Sequence, residues 1–417
     1  MLNRNKMNVL VLGAGAREHS IAWHLAKSPN NPMIFSLPGN SGTSQLGTNI
    51  SGDMTDPCFV FSIVQSFMID LVVIGPESPL VAGVSDYLRS KGVKVFGPSK
   101  AAARIESSKS FAKNLMVKSG VPTARFEVFS DAKSATQYIK LQKMPIVIKA
   151  DGLAQGKGVV VADDHQSALI ALNSAMQVGS SVVIEECLVG KEVSVFSFTD
   201  GVRISPLVAA CDYKRIGDQN TGPNTGGMGG YSPPEFWNSD LELQIRKNCI
   251  EPILFALDEI GATYQGILYC GIMLTNQGPH VIEYNARFGD PEAQILLPRL
   301  DSDFLEIAEA VSEGNLNGIK IKWSDSHTVG VVLASQGYPG KFETGYEVVG
   351  FENLEENTFA FHAGTETRQS SVYTTSGRVI TVVSLAGTRE QARMSAYKGA
   401  RELNFANCYM RSDIAST

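Results

Sequence analysis

The sequence predicts a multidomain protein of mixed α/β and α+β class, which begins with a doubly wound parallel sheet. Its 417 residues are enough for about three domains. Over the first hundred residues or so, short apolar runs alternate with helical stretches, which is typical of a parallel sheet covered by helices. Farther along the chain, apolar runs follow one another directly, as they do in antiparallel strands.

Four apolar runs predict the strands of the parallel sheet, at 8–12, 33–37, 70–75 and 93–97. Helices are expected between them, for example at 18–27 and 80–91. Each predicted strand ends in a loop that contains glycine: GAGAREH (13–19), PGNSGT (38–43), GPESPL (75–80) and GPSKAA (97–102). Because ligands of doubly wound sheets bind at the carboxyl ends of the strands, the four loops predict one binding pocket.

The middle of the chain predicts a compact α+β unit after a helix at 107–119, which Gly120 and Pro122 end. We interpret 145–162 and 181–198 as two hairpin-like strand pairs, with a helix near 165–178 between them. The runs at 265–275 and 278–290 predict antiparallel strands joined by a tight turn.

The last part of the chain predicts a small β-rich domain, with strands near 330–335, 358–362 and 378–386 and a helix near 390–402. It carries no obvious chemical motif, so its expected role is packing. We expect domains at 7–106, 107–320 and 327–417, with a lid subdomain at about 123–190.

Composition excludes several classes of function. The net charge is −6 and there is no basic stripe, so a nucleic-acid partner is not expected. No run approaches the roughly 18 apolar residues of a membrane span, and the N-terminus lacks the features of a signal peptide. None of the six cysteines forms a CxxC pair, which fits a reducing cytoplasm and argues against a zinc site.

The first glycine loop, GAGAREH, follows a strand and opens a helix, as in dinucleotide-binding proteins. However, Glu18 stands where the third glycine of that motif belongs, and no acid ends the second strand. Backbone N–H groups at the helix start are better suited to one phosphate, with Asn40, Ser41 and Thr43 as further donors. A simple turn remains the alternative.

Two features in the middle of the chain could hold a nucleotide. Lys149 ends an apolar run, and the glycine loop up to Gly158 joins it to a second strand rather than to a helix, so it is not a Walker A motif. Its amides and Lys157 could still fold over phosphates. Glu185 and Glu186 end another apolar strand beside a possible adenine edge, and Glu192 could hold ribose hydroxyls. A plain turn and surface acids are the alternatives.

The segment Glu283-Tyr284-Asn285-Ala286-Arg287 is the sharpest motif. Alternate residues of a strand face the same side, so Glu283, Asn285 and Arg287 should point together. Two oxygen ligands suit Mg²⁺ that also binds waters and phosphate, and an adjacent arginine can neutralise a transferring phosphoryl group. A solvent-facing polar strand end is the alternative.

The segment 211–231, CDYKRIGDQNTGPNTGGMGGY, is rich in glycine and begins with Asp212, Lys214 and Arg215. We interpret it as a flexible loop rather than a helix or strand, because glycine loses much backbone entropy in either. An acid, two bases and a long flexible loop therefore stand side by side in the sequence.

The order of these features resembles that of the ATP-grasp ligases, and most closely the phosphoribosylamine–glycine ligase family of purine biosynthesis. The resemblance runs from about residue 8 to residue 404, and GPNTGGMGGYSP (222–233) and EYNARFGDPE (283–292) are its specific motifs. Two departures are visible. Ala16 replaces an expected glycine, which is tolerable if its φ is negative. The strand before Glu283 lacks the second acidic metal ligand that many ATP-grasp enzymes have.

The resemblance implies a central ATP-grasp fold, ATP as co-substrate, Mg²⁺ or Mn²⁺ as cofactor, and glycine and 5-phosphoribosylamine as substrates of a cytoplasmic monomer. It implies a metal site at Glu283 and Asn285, and a catalytic group of Arg287, Asp212, Lys214 and Arg215. The implied ATP-binding residues are Lys109, Lys149, Gly156, Lys157, Gly158, Glu185, Glu186, Leu188 and Glu192. The implied substrate-binding residues are Gly13, Gly15, Arg17, Glu18, Asn40, Gly42, Thr43, Glu77, Pro79, Thr225, Gly226 and Gly227.

The implied reaction passes through glycyl phosphate to glycinamide ribonucleotide. In that reaction, the segment 211–231 would close as a flap that keeps water from the glycyl phosphate. Three alternatives remain at this point. The chain could be another ATP-grasp carboxylate–amine ligase of nucleotide metabolism, an NAD-dependent oxidoreductase, or an inactive ATP-binding module. An inactive module would be expected to lack Glu283 or Arg287, and both are present.

Overall fold

The computed structural model describes residues 6–152 and 158–416. The chain begins with a five-stranded parallel sheet of order β3-β2-β1-β4-β5. Its strands are β1 (Asn8–Gly13), β2 (Met33–Pro38), β3 (Thr48–Asn49), β4 (Leu71–Ile74) and β5 (Lys94–Phe96). Its helices are α1 (Ala16–Ala26), α2 (Thr43–Leu46), α3 (Pro57–Ser66), α4 (Glu77–Ala82), α5 (Val84–Ser90) and α6 (Lys100–Ser107).

The predicted doubly wound sheet is confirmed, and the four predicted strands lie within one or two residues of the observed ones. Residues Val9–Leu12 of the central strand β1 are fully buried, because helices cover both faces of the sheet. The single helix expected at 80–91 is two helices, α4 and α5. Gly83 separates them with a left-handed φ of +86°, which glycine adopts easily.

Next comes a four-stranded antiparallel sheet of order β6-β9-β7-β8, which follows the helix α7 (Lys109–Lys118). Two helices cover one face of this sheet, through Ile139 and Leu172 packed with Ile148 and Ile184. Its elements are β6 (Phe126–Phe129), α8 (Ala132–Leu141), β7 (Ile146–Ala150), β8 (Val159–Ala162), α9 (His165–Val178) and β9 (Val182–Glu186).

A nine-stranded sheet of order β16-β15-β10-β11-β14-β17-β22-β19, with β23 beside β17, forms the rest of the frame. Its strands from the middle of the chain are β10 (Lys191–Thr199), β11 (Val208–Asp212), β14 (Gly229–Ser232), β15 (Gly266–Thr275) and β16 (Gly278–Asn285). A separate two-stranded ribbon, β12 (Arg215–Gly217) and β13 (Thr221–Asn224), projects between β11 and β14. The helices are α10 (Ser239–Ile245), α11 (Glu251–Glu259), α12 (Glu292–Leu296) and α13 (Phe304–Ser312).

The C-terminal region contributes β17 (His327–Ser335), β19 (Thr358–His362), β22 (Arg378–Ala386), β23 (Cys408–Tyr409) and the helix α14 (Arg389–Glu402) to this frame. A small sheet of β18 (Glu347–Val348), β20 (Thr365–Arg368) and β21 (Ser371–Thr374) lies beside it. Strand β14 pairs with β11 on one side and with β17 on the other, so the middle and the C-terminal region share one sheet.

Two predictions about local structure are wrong. The run 181–198 is not a hairpin: β9 pairs with β6 and β7, whereas β10 pairs with β11 and β15 in the other sheet. The segment 211–231 is largely strand rather than irregular loop. Its glycines permit close strand packing, because a Cβ at Gly229 or Gly230 would lie 2.4 Å from a backbone oxygen of the neighbouring strand.

Within the described residues, no helix is both long and apolar enough to cross a membrane.

Candidate active site

The carboxylate of Glu18 lies inside the loops at the carboxyl ends of β1 and β4. Its Oε2 accepts a 2.7 Å hydrogen bond from the Gly15 N–H, and its Oε1 lies 2.6 Å from Nε of Arg17. A Cβ at Gly13 or at Gly75 would lie within 2.3 Å of the Glu18 side chain. The two glycines therefore make room for Glu18, which is buried and holds these loops in shape from within.

Asn40 organises the second loop in a similar way. Its Oδ1 accepts hydrogen bonds from the N–H groups of Gly42 and Thr43, at 2.9 and 3.1 Å. Its Nδ2 donates to the carbonyl of Ala14 at 2.9 Å and to that of His362 at 2.6 Å. The predicted residues Asn40, Gly42 and Thr43 therefore lie together, and Asn40 links both N-terminal loops to the C-terminal region.

Arg287 connects the N-terminal loops to β16. Its guanidinium lies 2.7 Å from the carboxylate of Glu106 and 3.1 Å from that of Glu77, at the start of α4. Burial alone would lower the pKa of Arg287, but the two carboxylates raise it above its usual range. Burial alone would raise the pKa of Glu77, but Arg287 and Arg17 lower it. Pro79 is buried in the same turn of α4.

The predicted alternation along β16 is present. Glu283, Asn285 and Arg287 are half-buried, whereas the residues between them, Tyr284 and Ala286, are buried on the opposite face. Burial alone would raise the pKa of Glu283, but the positive charges of Lys214, Lys149 and Lys109 lower it below its ordinary value. Glu283 is therefore held ionised among cations that could also bind phosphate.

Glu283 and Asn285 suit a Mg²⁺ or Mn²⁺ ion that shares phosphate oxygens. Both offer hard oxygen donors on the same strand face, and both lie close in sequence to Arg287. Across residues 6–152 and 158–416, no cluster of three or more His, Cys, Asp or Glu side chains has the geometry of a metal site.

Two lysines share the buried carboxylate of Glu185. The Nζ of Lys149 lies 2.9 Å from Oε1, and the Nζ of Lys113 lies 2.9 Å from Oε2. Burial and the neighbouring charge of Lys149 lower the pKa of Lys113 to about 8. Lys109 lies nearby and donates to the carbonyl of Gly152 at 3.1 Å. The predicted phosphate-binding lysines therefore converge beside Glu283.

The other predicted ATP residues are more dispersed. Glu186 points away from Glu185 and binds the exposed side chain of Arg125. Leu188 is half-buried in the connection between β9 and β10. Gly158 accepts a hydrogen bond from the Ala150 N–H at 2.8 Å. The predicted residues Gly156 and Lys157 lie outside the described residues.

Asp212 and Lys214 lie at the end of β11 with two further acids. The Nζ of Lys214 forms an ion pair with Glu192. Burial raises the pKa of Asp212 to about 8; Lys214 opposes this shift, whereas Glu292 and Glu192 add to it. Glu292 is itself buried and accepts a 3.1 Å hydrogen bond from the Ser194 hydroxyl. A weakly acidic carboxyl and an ammonium group are thus available for a small polar substrate.

Arg215 does not join them. Its guanidinium donates to the carbonyl of Gly222 at 2.7 Å, within the β12–β13 ribbon. Thr225 closes the base of the ribbon, because its N–H and its hydroxyl both donate to the carbonyl of Lys214, at 2.7 and 2.8 Å. The hydroxyl of Thr225 also accepts from the Gly227 N–H at 2.9 Å.

The C-terminal region, whose expected role is packing, also contacts the candidate site directly. Arg378, at the start of β22, donates to the carbonyl of Gly226 at 2.6 Å and to that of Asp290 at 3.1 Å. Its guanidinium also lies 3.2 Å from the Asp290 carboxylate. The hydroxyl of Tyr338 accepts from the Gly226 N–H at 3.0 Å. Two C-terminal side chains therefore hold the Thr225–Gly226–Gly227 loop on both sides of Gly226.

Several residues of the site carried little or no signal in the sequence. Glu106 and Arg378 lie in segments without a motif, and each reaches its partner across about ninety residues or more. Asp290 and Glu292 belong to the segment 283–292, and the sequence shows that this segment is acidic. The sequence does not show which side chains Asp290 and Glu292 contact.

The sequence matches the models of one known family over 7–293 and 328–417. Residues 7–106 match the phosphoribosylglycinamide synthetase N domain, 107–293 match its ATP-grasp (A) domain, and 328–417 match its C domain. A phosphoribosylamine–glycine ligase of Caldanaerobacter subterraneus subsp. tengcongensis is 43% identical over 98% of this chain and 100% of that protein. The chain belongs to the phosphoribosylglycinamide synthetase family.

Other members of the family are similarly close. A phosphoribosylamine–glycine ligase of Brucella melitensis is 42% identical over 98% of this chain and 97% of its own length. The crystal structure of the Thermotoga maritima phosphoribosylamine–glycine ligase is 33% identical, with a TM-score of 0.85 over 98% of this chain and 100% of that one.

Family membership confirms the predicted fold class and the resemblance to ATP-grasp ligases that form C–N bonds. The oxidoreductase alternative is thereby set aside. The biotin carboxylase domain of the Hydrogenobacter thermophilus 2-oxoglutarate carboxylase has a TM-score of 0.72 at 13% identity, over 98% of this chain and 92% of that chain. At that identity, the likeness concerns the fold alone.

Proposed function

We propose that this protein joins glycine to 5-phosphoribosylamine with ATP, giving glycinamide ribonucleotide, ADP and phosphate. A carboxylate oxygen of glycine attacks the γ-phosphorus of ATP, the bond to the β–γ bridging oxygen breaks, and ADP leaves. The amine nitrogen of phosphoribosylamine then attacks the carbonyl carbon of glycyl phosphate. That nitrogen loses a proton, and phosphate leaves with the acyl oxygen.

The ion triad of Arg287 with Glu77 and Glu106 is the observation that carries this proposal. It joins the strand that bears Glu283 and Asn285 to the N-terminal loops. In this proposal, the phosphoryl-transfer site therefore lies next to the substrate site at the carboxyl ends of the parallel strands. A ligase that passes an acyl phosphate to a second substrate needs that adjacency.

In this proposal the ATP phosphates bind to Lys109, Lys149 and the loop that ends at Gly158. Glu283 and Asn285 would hold Mg²⁺ or Mn²⁺, and the bound ion would neutralise charge on the phosphates. Glu185 positions Lys149 through an ion pair, since its carboxylate lies 2.9 Å from the lysine nitrogen. Adenosine lies along the connection from Glu186 to Glu192, which includes Leu188.

Asp212 receives the ammonium group of glycine, and Lys214 lies beside the carboxylate that accepts the phosphoryl group. Arg287 neutralises the charge that develops on that group during transfer. The loops at Gly13, Asn40 and Glu77 hold phosphoribosylamine. The protein supplies no covalent nucleophile, so positioning and charge neutralisation provide most of the rate enhancement.

We further propose that the protein acts as a monomer in the cytoplasm, with domains at 7–106, 107–320 and 327–417 and a lid at about 123–190. The lid sheet β6–β9 carries Lys149 and Glu185, so its movement would carry one side of the ATP site with it.

The test is ADP release with ATP, Mg²⁺ and glycine, with and without phosphoribosylamine formed in place from ribose 5-phosphate and ammonia. ADP formation that requires both glycine and phosphoribosylamine supports the proposal. ADP formation that is indifferent to both contradicts it and favours another ATP-grasp carboxylate–amine ligase. Replacing glycine by alanine provides a matched substrate control.

A further inference from the structure

The β12–β13 ribbon leaves the active site and returns to it. Lys214 precedes the ribbon and Thr225 follows it, and their two hydrogen bonds close its base. Any displacement of the ribbon would therefore disturb two site residues. The ribbon can move only if its tip, Asp218–Asn220, is not held by the rest of the chain.

The tip is bound to the C-terminal segment 409–415. Asp413 accepts a 2.8 Å hydrogen bond from the Gln219 N–H through Oδ2. The Ser412 N–H donates to the Asp218 carboxylate at 2.9 Å, and the Ser412 hydroxyl donates to the same carboxylate. The C-terminal segment and the tip are almost two hundred residues apart in the sequence.

Arg411 is the centre of this contact, and its side chain is fully buried. Its Nη1 donates to the carbonyl of Arg215 at 2.9 Å and to Oδ1 of Asn220 at 3.1 Å. Its Nε and Nη2 donate to the two oxygens of Asp413 at 2.8 and 2.7 Å. A buried guanidinium with this many partners fixes the relative position of everything that it binds.

The backbone of the tip needs such support. Gln219 and Asn220 both have a φ of +56°, a left-handed conformation that residues with a side chain adopt rarely. Burial alone would raise the pKa of Asp413, but its bonds to Arg411 and to the Gln219 N–H lower it to about 2. The carboxylate is thus ionised at any physiological pH and remains a strong acceptor.

We propose that Arg411 and Asp413 are positioning residues for the ligase reaction. They fix the tip of the ribbon, and the ribbon holds Lys214 and the Thr225–Gly227 loop in place around the glycyl phosphate. The ribbon is therefore a fixed side of the site, held in place at its tip, and not a flap that opens there. The catalytic part of this inference rests on the proposed function.

The first test measures the ribbon without using activity. Trypsin cleaves after Lys214 and Arg215, and we expect Arg411→Met and Asp218→Ala to accelerate that cleavage about tenfold in the full chain, since several hydrogen bonds are lost. Asp218 lies on the ribbon outside the core, so Asp218→Ala tests the contact if Arg411→Met fails to fold. Asp240→Ala is the matched control, because Asp240 is exposed and lies in α10, outside both the ribbon and the C-terminal segment.

The second test measures coupling in the ligase assay. In Asp218→Ala and Arg411→Met we expect the KM for glycine to rise about tenfold while kcat changes little, since the loss is of positioning. ADP should then exceed glycinamide ribonucleotide, because water reaches the acyl phosphate. Cleavage and coupling in these variants that equal those of wild type and Asp240→Ala would overturn the inference.

The two proposals fail in distinguishable ways. If wild type forms no glycine-dependent ADP, the proposed function is wrong, whereas trypsin still reports whether the ribbon is braced. If wild type is active and the variants remain resistant to trypsin with normal coupling, only the positioning roles of Arg411 and Asp413 are wrong.

Discussion

The guanidinium of Arg287 lies 2.7 Å from the carboxylate of Glu106, although 180 residues separate the two in the sequence. The same carboxylate accepts a 2.7 Å hydrogen bond from the N–H of Ala286. Glu106 therefore fixes both the side chain and the backbone at the end of β16. Burial raises the pKa of Glu106, and the positive charge of Arg287 opposes that shift, so Arg287 favours the ionised form of Glu106.

Arg287→Ala should lower turnover by about 10²–10³, because it removes a preorganised charge donor at the proposed phosphoryl group. Steady-state ADP formation measures the effect. Arg287→Lys retains the charge without the two-armed geometry and should recover only part of the rate. Near wild-type turnover in a folded Arg287→Ala protein would show that Arg287 has no catalytic role.

Arg378→Met should raise the KM for glycine about tenfold or more, since three backbone carbonyls around the Thr225–Gly227 loop lose their donor. Arg368→Met is the matched control, because Arg368 is exposed and pairs only with Glu366 among the described residues. Equal kinetics in the two variants would mean that the C-terminal region only packs.

Gly42→Ala should destabilise the protein by about 1–3 kcal/mol, because the new Cβ would lie 2.1 Å from the buried ring of His19. The second N-terminal loop would have to shift, so the KM for phosphoribosylamine should rise as well. Gly387→Ala adds the same methyl group at ordinary contact distance, 3.6 Å from Gln391, and should leave both unchanged. Urea unfolding of the two variants makes the comparison, and equal midpoints would refute it.

The stability difference between Asp212→Asn and wild type should depend on pH. The folded-state pKa of Asp212 is about 8, against an ordinary value of 3.8, so folding favours the protonated form. The stability that protonation provides is present below about pH 4 and is lost as pH rises through 8. The stability of Asp212→Asn, measured by thermal unfolding, should therefore rise relative to that of wild type between pH 5 and about pH 8. A difference that stays constant across that range would contradict the raised pKa.

Much of the fold was predictable because local patterns determine it. Strands of a parallel sheet are buried on both faces, so β1, β2, β4 and β5 appear as continuous apolar runs that end at glycine. The hairpin of β15 and β16 was visible from its turn, and the period of two along β16 predicted which residues share its face.

Strand partners were harder to predict, because pairing is not a local property. The run 181–198 contains two good strands, and nothing within it shows that β9 and β10 join different sheets. The segment 211–231 misled for the opposite reason. Its glycines suggested a loose chain, whereas Gly229 and Gly230 allow β14 to lie close against two neighbouring strands.

The residues of the site also divide into those that a local pattern indicates and those that only the fold brings together. Glu283, Asn285 and Arg287 stand in a pattern that suits phosphate and metal chemistry, so residue types and spacing indicated them, whereas Lys149 was indicated by the family resemblance. Glu106 and Arg378 are single charged residues in segments of ordinary composition. Their importance comes only from partners that the fold brings to them, at distances along the chain where no spacing rule applies.

The shared nine-stranded sheet has a consequence for protein engineering. A chimaera with a relative's C-terminal region, joined near residue 327, would set a foreign β17 against this protein's β14. Gly229 lets β14 lie close against β17, because a Cβ there would be 2.4 Å from the Gly330 carbonyl oxygen, so the foreign strand would have to place its backbone in the same close position. A recombination that respects the hydrogen-bonded sheet would exchange 229–232 together with everything from β17 onward. Modules that are separable in the sequence are thus inseparable as folded pieces.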